Sequence, residues 1–440
     1  VLTAIQFAVK IEGPNATLCL DYNGQVFEDR ELLKRLIRMS EQVVGFNLGQ
    51  NSEQGKPQDK SQNTKQNKAQ NNKKSVATTI GDLCLVSDEE QAMLDQWAYG
   101  ESTPINSELV HRAFETQVKR HPNAIAIQGG YSSGKKRQNQ DELSYSELNE
   151  KANQLAHYLQ TRGVVGASNT NRVVIWLGRS ADWIISVLAV IKTGGCYIPL
   201  DTGYPVARVN DVIDDADAKI IITDSAQQTM GALSDRCHVV TLDTLDVASF
   251  DKGNIYHAAT ETSKSTAIND TAAITPSTEL SVNKPLYIIY TSGSTGKPKG
   301  ASVTHANAEN LLSWYTQEYN IDAGSKHLII SSPGFDLTQK NIFAPLRAGG
   351  TIVFPDREEF DPQAIATTLK NHNITHINCA PSAFYSLLDN DVVDLENLST
   401  LHYVLFGGEP IVLSRLSSWI KRDDCQSHIV NMYGPTECAD

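Results

Sequence analysis

The chain has 440 residues, 40% hydrophobic and 20% charged, which is enough for two or three domains and a large apolar core. Its formal net charge of -13 argues against a general nucleic-acid or anionic-membrane binder, because phosphate backbones reward basic surfaces. No apolar run approaches the roughly 20 residues of a membrane span, and Cys19, Cys84, Cys196, Cys237, Cys379, Cys425 and Cys438 lie scattered without a Cys-x-x-Cys pair, as expected for reduced thiols in a cytoplasmic protein.

Taken in chain order, Val1-Leu2-Thr3-Ala4 has no initiator Met and no signal pattern, and it reads as the middle of a longer polypeptide. The alternating stretch Ala16 to Gly24 predicts a strand entering a turn, and Leu32, Leu33, Leu36, Ile37 and Val44 recur at helical spacing. Residues 47–78 are mostly Asn, Gln, Lys, Ser and Asp. Such a stretch cannot bury enough apolar surface to offset its ordering entropy, so a flexible linker is expected.

The globular texture begins near residue 81. Ser87 and Glu90 form a capping-box pattern ahead of Met93, Leu94 and Trp97. A helix is predicted over Tyr145 to Thr161, a strand over Arg172 to Leu177, and a second helix over Ala181 to Lys192 that stops at Gly194-Gly195. Further strands are expected at Lys219 to Thr223, Leu286 to Tyr290, Leu328 to Ser331, Thr351 to Phe354, His402 to Phe406 and Ile429 to Met432. Short apolar strands alternating with helices predict an α/β fold with covered parallel sheets. The polar tracts Tyr131 to Asp141 and Ser225 to Asn283 read as surface insertions or long loops.

The strand 286–290 runs into Thr291-Ser292-Gly293-Ser294-Thr295-Gly296-Lys297-Pro298-Lys299-Gly300. Glycines allow close backbone approach, successive amides can cradle an anion, and the hydroxyls and lysines add donors and charge. This is not the P-loop of nucleotide triphosphatases: Thr291 stands where that pattern needs its first Gly, and Lys297 is followed by Pro298.

In its motifs and their order the chain resembles the adenylate-forming enzymes, in particular adenylation domains of nonribosomal peptide synthetases. Leu143 to Asn149 looks like the first core motif, and Leu188 to Asp201 like the second. The phosphate loop fits the third, Phe335-Asp336-Leu337-Thr338 the fourth, and Asn431 to Glu437 the fifth. The resemblance covers most of 81–440. It implies the large N-terminal core of that fold, stacked and mostly parallel sheets flanked by helices, with the small C-terminal subdomain absent after Asp440.

The resemblance also implies a reaction and its site. A carboxylate would be coupled to ATP, giving an acyl-adenylate and pyrophosphate. Thr291, Ser292, Gly293, Ser294, Thr295, Gly296 and Lys299 would surround the β- and γ-phosphates, with Lys297 either engaged or solvated. Gly408 and Glu409 would border adenine, and Tyr433, followed by Gly434, would stack on it; ordinary packing is the alternative for Tyr433. Thr436 would bind the α-phosphate and Glu437 would hold Mg2+. The catalytic set is thus Thr291, Lys299, Thr436 and Glu437. Asp336, beside Phe335, would pair with an α-ammonium group; by residue type alone it reads rather as the cap of the following helix. Leu337, Lys340, Asn378, Leu405, Gly407, Met432 and Asp440 would surround the substrate side chain, and Lys340, Asn378 and Asp440 would make that pocket polar unless Lys340 and Asp440 pair with each other.

The first 46 residues resemble the C-terminal tail of a condensation domain, without its His-His motif. The expected organisation is therefore that tail at 1–46, a polar linker at 47–80, and an adenylation core at 81–440. The implied partners are an amino acid, ATP, and the condensation and carrier domains of the same synthetase, the carrier bearing phosphopantetheine. The family's ribose-binding aspartate and bridging lysine would lie beyond Asp440, so the chain by itself is expected to adenylate poorly. An acyl- or aryl-CoA ligase is the nearest alternative, and an inactive scaffold segment is the alternative of another class.

Overall fold

The computed structural model describes residues 5–12, 15–22, 86–99, 108–129, 142–164, 171–253, 281–291, 298–357, 359–389 and 393–439. The chain divides into two compact units, Val1–Pro104 and Ile105–Asp440. In the first, β1 (Ile5–Glu12) and β2 (Asn15–Tyr22) form an antiparallel hairpin, with Ile5 opposite Tyr22 and Glu12 opposite Asn15. β2 covers the expected alternating segment. β1 is an addition, although Ile5, Phe7, Val9 and Ile11 carry the same two-residue period. α1 (Asp88–Tyr99) opens with the expected capping box: Glu90 N–H donates to Ser87 Oγ at 3.1 Å, and Ser87 N–H donates to Glu90 Oε2 at 2.9 Å. The helix expected over 30–44 and the polar stretch 47–78 lie outside the described residues.

The second unit alternates helix and strand. It begins with α2 (Val110–Arg120), β3 (Ile125–Gly129), β4 (Glu142–Ser144), α3 (Tyr145–Thr161), β5 (Arg172–Ile175) and α4 (Ala181–Lys192). Then follow β6 (Cys196–Pro199), α5 (Val206–Asp215), β7 (Ile220–Thr223), α6 (Ser225–Gln228) and β8 (His238–Thr241). Next come β9 (Pro285–Thr291), β10 (Lys299–Thr304), α7 (His305–Glu318), β11 (Lys326–Leu328), α8 (Asp336–Ala348) and β12 (Thr351–Phe354). The unit closes with α9 (Pro362–His372), β13 (His376–Cys379), α10 (Pro381–Leu388), β14 (Tyr403–Phe406), α11 (Leu413–Ile420) and β15 (His428–Asn431).

Helix ends follow local chemistry. Ser144 and Glu147 make a reciprocal capping box on α3, Ser180 Oγ accepts from Trp183 N–H at the start of α4, and Gly194 takes φ +82 just past its end.

Two sheets result. One has six strands in the order β10-β9-β6-β5-β7-β8, and the other seven in the order β15-β14-β13-β11-β12-β3-β4. The pairing is parallel except at β9/β10 and β3/β4, so the expectation of covered parallel sheets holds in the interior and fails at one edge of each. Strand residues alternate between cores because successive side chains point to opposite faces. Val173, Ile175, Ile352, Phe354 and Leu405 join a central core with α2, α3, α4, α7 and α8. Val353, Ile377, Val404 and Phe406 pack outward against α9, α10 and α11, while Val174, Ile198 and Ile221 pack against α5. The architecture is helix, sheet, helix, sheet, helix.

Two expectations need correction. The tract Ser225 to Asn283 is not wholly loop: it holds α6 and β8, which pairs with β7 at the sheet edge. A four-residue edge strand, with one of its residues buried, is too brief to show through polar flanks. The strand expected at Leu328 to Ser331 sits earlier, at Lys326–Leu328. Ile329 N–H still reaches Val353 O, but Ile330 O is taken by Arg179 Nη1 at 2.8 Å and the chain leaves the sheet.

Candidate active site

In the seven-stranded sheet the chain passes from β11 to β12 on one side, then returns to place β13 on the other. Ligands favour the carboxyl ends of parallel strands at such a reversal of strand order. A cavity of about 410 Å³ opens there. Its walls come from the ends of four adjacent strands: Ile330, Ser331 and Ser332 after β11, Asn378, Cys379 and Ala380 at β13, Gly407, Gly408 and Glu409 after β14, and Met432, Tyr433 and Gly434 after β15. Phe335, Asp336, Leu337 and Lys340 at the start of α8, and Ala383 of α10, close it.

Most of the residues expected around adenine and the amino acid therefore meet in one cavity. Leu405 is not among the lining residues: it pairs in register with Asn378 and is fully buried in the central core. Ile330, Ser331, Ser332, Cys379, Ala380 and Ala383 were not expected. Their only sequence signal is position, at or just after strand ends.

Asp336 is half-buried, and Phe335 occupies the N-cap position, so Asp336 is the first helical residue and not the cap. Its Oδ1 accepts from Leu337 N–H at 2.7 Å, and its Oδ2 accepts from the Thr436 hydroxyl. Among the described residues no cation pairs with this carboxylate.

Deeper in, Asn378 is 3% exposed. Asn341 Nδ2 donates to Leu337 O at 2.9 Å, which leaves Asn341 Oδ1 to accept from Tyr315 OH at 3.1 Å and from Asn378 Nδ2 at 3.5 Å. Asn378 Oδ1 is then buried without a partner among the described residues. Lys340 is buried, its Nζ 5.7 Å from the Tyr315 ring centroid. Cys379 is held as an inert thiol, since burial pushes it up to about 12.

Glu409 accepts from Ser382 N–H at 3.0 Å and from Ser382 Oγ at 2.9 Å, bracing the first turn of α10. Gly408 takes φ +82, a left-handed turn that glycine adopts without strain. Tyr433 is 99% exposed: an aromatic face at the cavity mouth with no packing of its own.

The phosphate-loop flanks come together as a hairpin. Thr291 of β9 pairs with Lys299 of β10, with Thr291 Oγ1 3.5 Å from Lys299 O. β10 lies beside the 3-10 turn Thr436–Cys438, and Tyr287 OH donates to Ala439 O at 3.2 Å. Glu437 is exposed and carries no ion pair among the described residues. The segment 436–439 thus joins the hairpin to the cavity. Ser292, Gly293, Ser294, Thr295, Gly296, Lys297 and Asp440 lie outside the described residues.

The donor set fits a nucleotide with its magnesium. Tyr433 offers a bare ring, Thr436 a hydroxyl, and Glu437 a lone carboxylate of the kind magnesium takes beside phosphate oxygens. No group of three His, Cys, Asp or Glu side chains among the described residues could hold a metal without such help.

The model of the AMP-binding enzyme family matches residues 114–439. Gramicidin S synthase 2 of Brevibacillus brevis is 33% identical over 361 residues, 81% of this chain but only 7% of that protein's length. The crystal structure of the nonribosomal peptide synthetase FmoA3 superposes with a TM-score of 0.73 at 21% identity, over 99% of this chain and 40% of that one. The N-terminal subdomain of NpsA from Klebsiella oxytoca gives 0.61 at 22% identity, covering 76% of this chain and 77% of that one. These structural likenesses concern the fold.

Proposed function

Because the chain belongs to the AMP-binding enzyme family, we propose that it activates an amino acid as an aminoacyl-adenylate with ATP, for loading onto a carrier-domain phosphopantetheine in nonribosomal peptide synthesis. The observation that carries the amino-acid part is Asp336, a carboxylate in the cavity wall with no cation of its own among the described residues. An α-ammonium group supplies the missing charge, and a charge-assisted hydrogen bond fixes its direction.

The amino acid's carboxylate oxygen attacks the α-phosphorus of ATP, a P–O bond forms, and pyrophosphate leaves with the electron pair of the broken bond. Asp336 orients the acid, and Thr436, hydrogen-bonded to it, stands at the adjoining position to contact the α-phosphate. Lys299 and Thr291 sit on the flanks of the phosphate loop, where positive charge and a hydroxyl offset the leaving pyrophosphate. Tyr433 offers its ring to adenine, with Gly408 and Glu409 at the cavity rim. Glu437 would hold Mg2+, which when bound neutralises phosphate charge. Residues 1–46 as a condensation-domain tail and 47–80 as a linker complete the proposed organisation, with the adenylation core following.

Amino-acid-dependent pyrophosphate exchange by the full-length protein tests this reading. Exchange with one or a few amino acids, lost in Asp336→Ala and Glu437→Ala, supports it. Exchange with aryl or fatty acids alone would favour the ligase alternative, and absence of both exchange and nucleotide binding would favour a scaffold.

A further inference from the structure

The segment Ile330–Gln339 carries Asp336 and leads from the cavity wall into the first turn of α8; Phe335 N–H donates to Ser332 O at 3.2 Å and Thr338 N–H to Phe335 O at 3.3 Å, and side chains add further bonds to its backbone. Arg179 Nη1 donates to Ile330 O at 2.8 Å. Thr338 Oγ1 lies 2.7 Å from Ser332 O and 2.8 Å from Ser331 Oγ. Gln339 Nε2 donates to Pro333 O at 2.8 Å and to Phe335 O at 2.9 Å. Side chains thus engage four carbonyls of this segment, those of Ile330, Ser332, Pro333 and Phe335.

The anchors for these contacts come from the other sheet. Tyr197 OH, fully buried, donates to Gln339 Oε1 at 2.7 Å and so fixes which way the Gln339 amide faces. The Ser332 hydroxyl donates to Asp201 Oδ2, while Asp201 Oδ1 accepts from Gly203 N–H at 2.7 Å and Asp201 O accepts from Trp176 Nε1 at 3.0 Å. Gly334 lies against the end of β6: a Cβ there would sit 3.6 Å from Asp201 N and 3.7 Å from Pro199 O. Tyr197 and Asp201 both belong to the second core motif, to which the proposed chemistry gives no role, and neither lines the cavity.

We infer that Tyr197, Asp201 and Arg179 are positioning residues: from the six-stranded sheet they brace the turn 330–339, setting the wall that receives the substrate acid and the direction of Asp336. Two sheets that pack only through apolar layers could slide by fractions of an ångström. Directional hydrogen bonds across the gap fix the register of one against the other, and a small misplacement at a reacting centre lowers rate steeply. The braces bear directly on the turn that carries Asp336; they reach the nucleotide side only at second hand, through the Asp336–Thr436 contact and the packing of Tyr197 on Tyr287 of β9, so their larger effect falls on the acid.

This inference rests on the proposed acid activation, and the test separates the two. The full-length protein is assayed by pyrophosphate exchange with a panel of amino, aryl and fatty acids. The acid that wild type activates then serves as probe for Tyr197→Phe, Asp201→Ala and Asp201→Asn. KM for that acid rises about 10-fold in Tyr197→Phe and Asp201→Ala. KM for ATP stays within about twofold, Asp201→Asn recovers most of the loss, and amide hydrogen exchange quickens within 330–339. Unchanged acid KM in folded variants, or an equal rise in the ATP KM, overturns the inference. If Tyr197→Phe does not fold, the half-buried Asp201 variants decide it. Activation of aryl or fatty acids alone overturns the amino-acid reading while the same KM comparison still judges the braces, and activation of no acid overturns both.

Discussion

The hydroxyl of Thr436 donates to Oδ2 of Asp336, joining two residues 100 positions apart in sequence. One belongs to the motif expected to contact the α-phosphate and the other to the motif expected to hold the amino group. Their contact places the proposed amine and phosphate subsites side by side.

Asp336→Ala removes the only charge proposed for the ammonium group. In the full-length protein, kcat/KM for the amino acid in pyrophosphate exchange should fall about 100-fold or more, with KM for ATP little changed. Thr436→Val touches both subsites and should lower kcat/KM for amino acid and ATP together, by about 10-fold each. Equal, small effects of the two substitutions would separate Asp336 from amine recognition.

Asn378 Oδ1 is a buried acceptor left open by its own network, since Asn341 and Tyr315 fix the amide orientation. Asn378→Leu keeps the size and removes the unsatisfied group. The thermal midpoint should stay level or rise, and preference among amino acids should shift by about 10-fold toward apolar side chains. A competitive exchange assay with paired polar and apolar amino acids reads this directly.

Lys192 is fully buried and paired with Glu115 Oε1 at 2.5 Å, with Asn149 Oδ1 at 2.9 Å. Burial holds its pKa below the usual lysine range, and the Glu115 carboxylate opposes that shift. Lys192→Met removes the buried partner of Glu115 and leaves it the more exposed Arg112, at 2.8 Å, and should cost about 3 kcal/mol in urea denaturation. The pair replacement Lys192→Met with Glu115→Leu should recover most of that loss, whereas additive losses would mean that no coupling exists.

Burial lowers His305 to about 4 and His376 to about 4, and His327 is pushed down by burial and then by the charge of His376. His376 also meets Tyr319 O at 3.0 Å and Thr375 Oγ1 at 2.8 Å, and it stacks between His327 and Tyr403. Unfolded, these imidazoles bind protons near pH 6.5, whereas in the folded chain His305 and His376 do so only near 4. Stability is therefore full above about 6.5 and drains as pH falls toward 4, by about 2 kcal/mol for each of His305 and His376 at pH 5, with His327 adding in the same direction. Urea midpoints that match at pH 7 and pH 5 would contradict this.

Some of this was legible before any coordinates. The capping boxes at Ser87 and Ser144 and the stop at Gly194 depend on neighbours three or four residues away, so the sequence carries them in full. The β-branched runs at 172–175, 220–223 and 351–354 are apolar on both faces and announce buried strands. The edge strand β8 was hidden because an edge needs little apolar surface.

Chain order fixed which residues are chemically equipped: Asp336, Thr436, Glu437, Tyr433 and the flanks Thr291 and Lys299. It could not say that Leu405 is buried in the central core while Asn378, its in-register partner, reaches the wall. Nor could it say that Tyr197 and Asp201 brace a turn more than a hundred residues away. Capping and alternation are set by local backbone geometry, which residue type and spacing encode. Contacts across the two sheets depend on how five layers stack, and only the folded chain decides that.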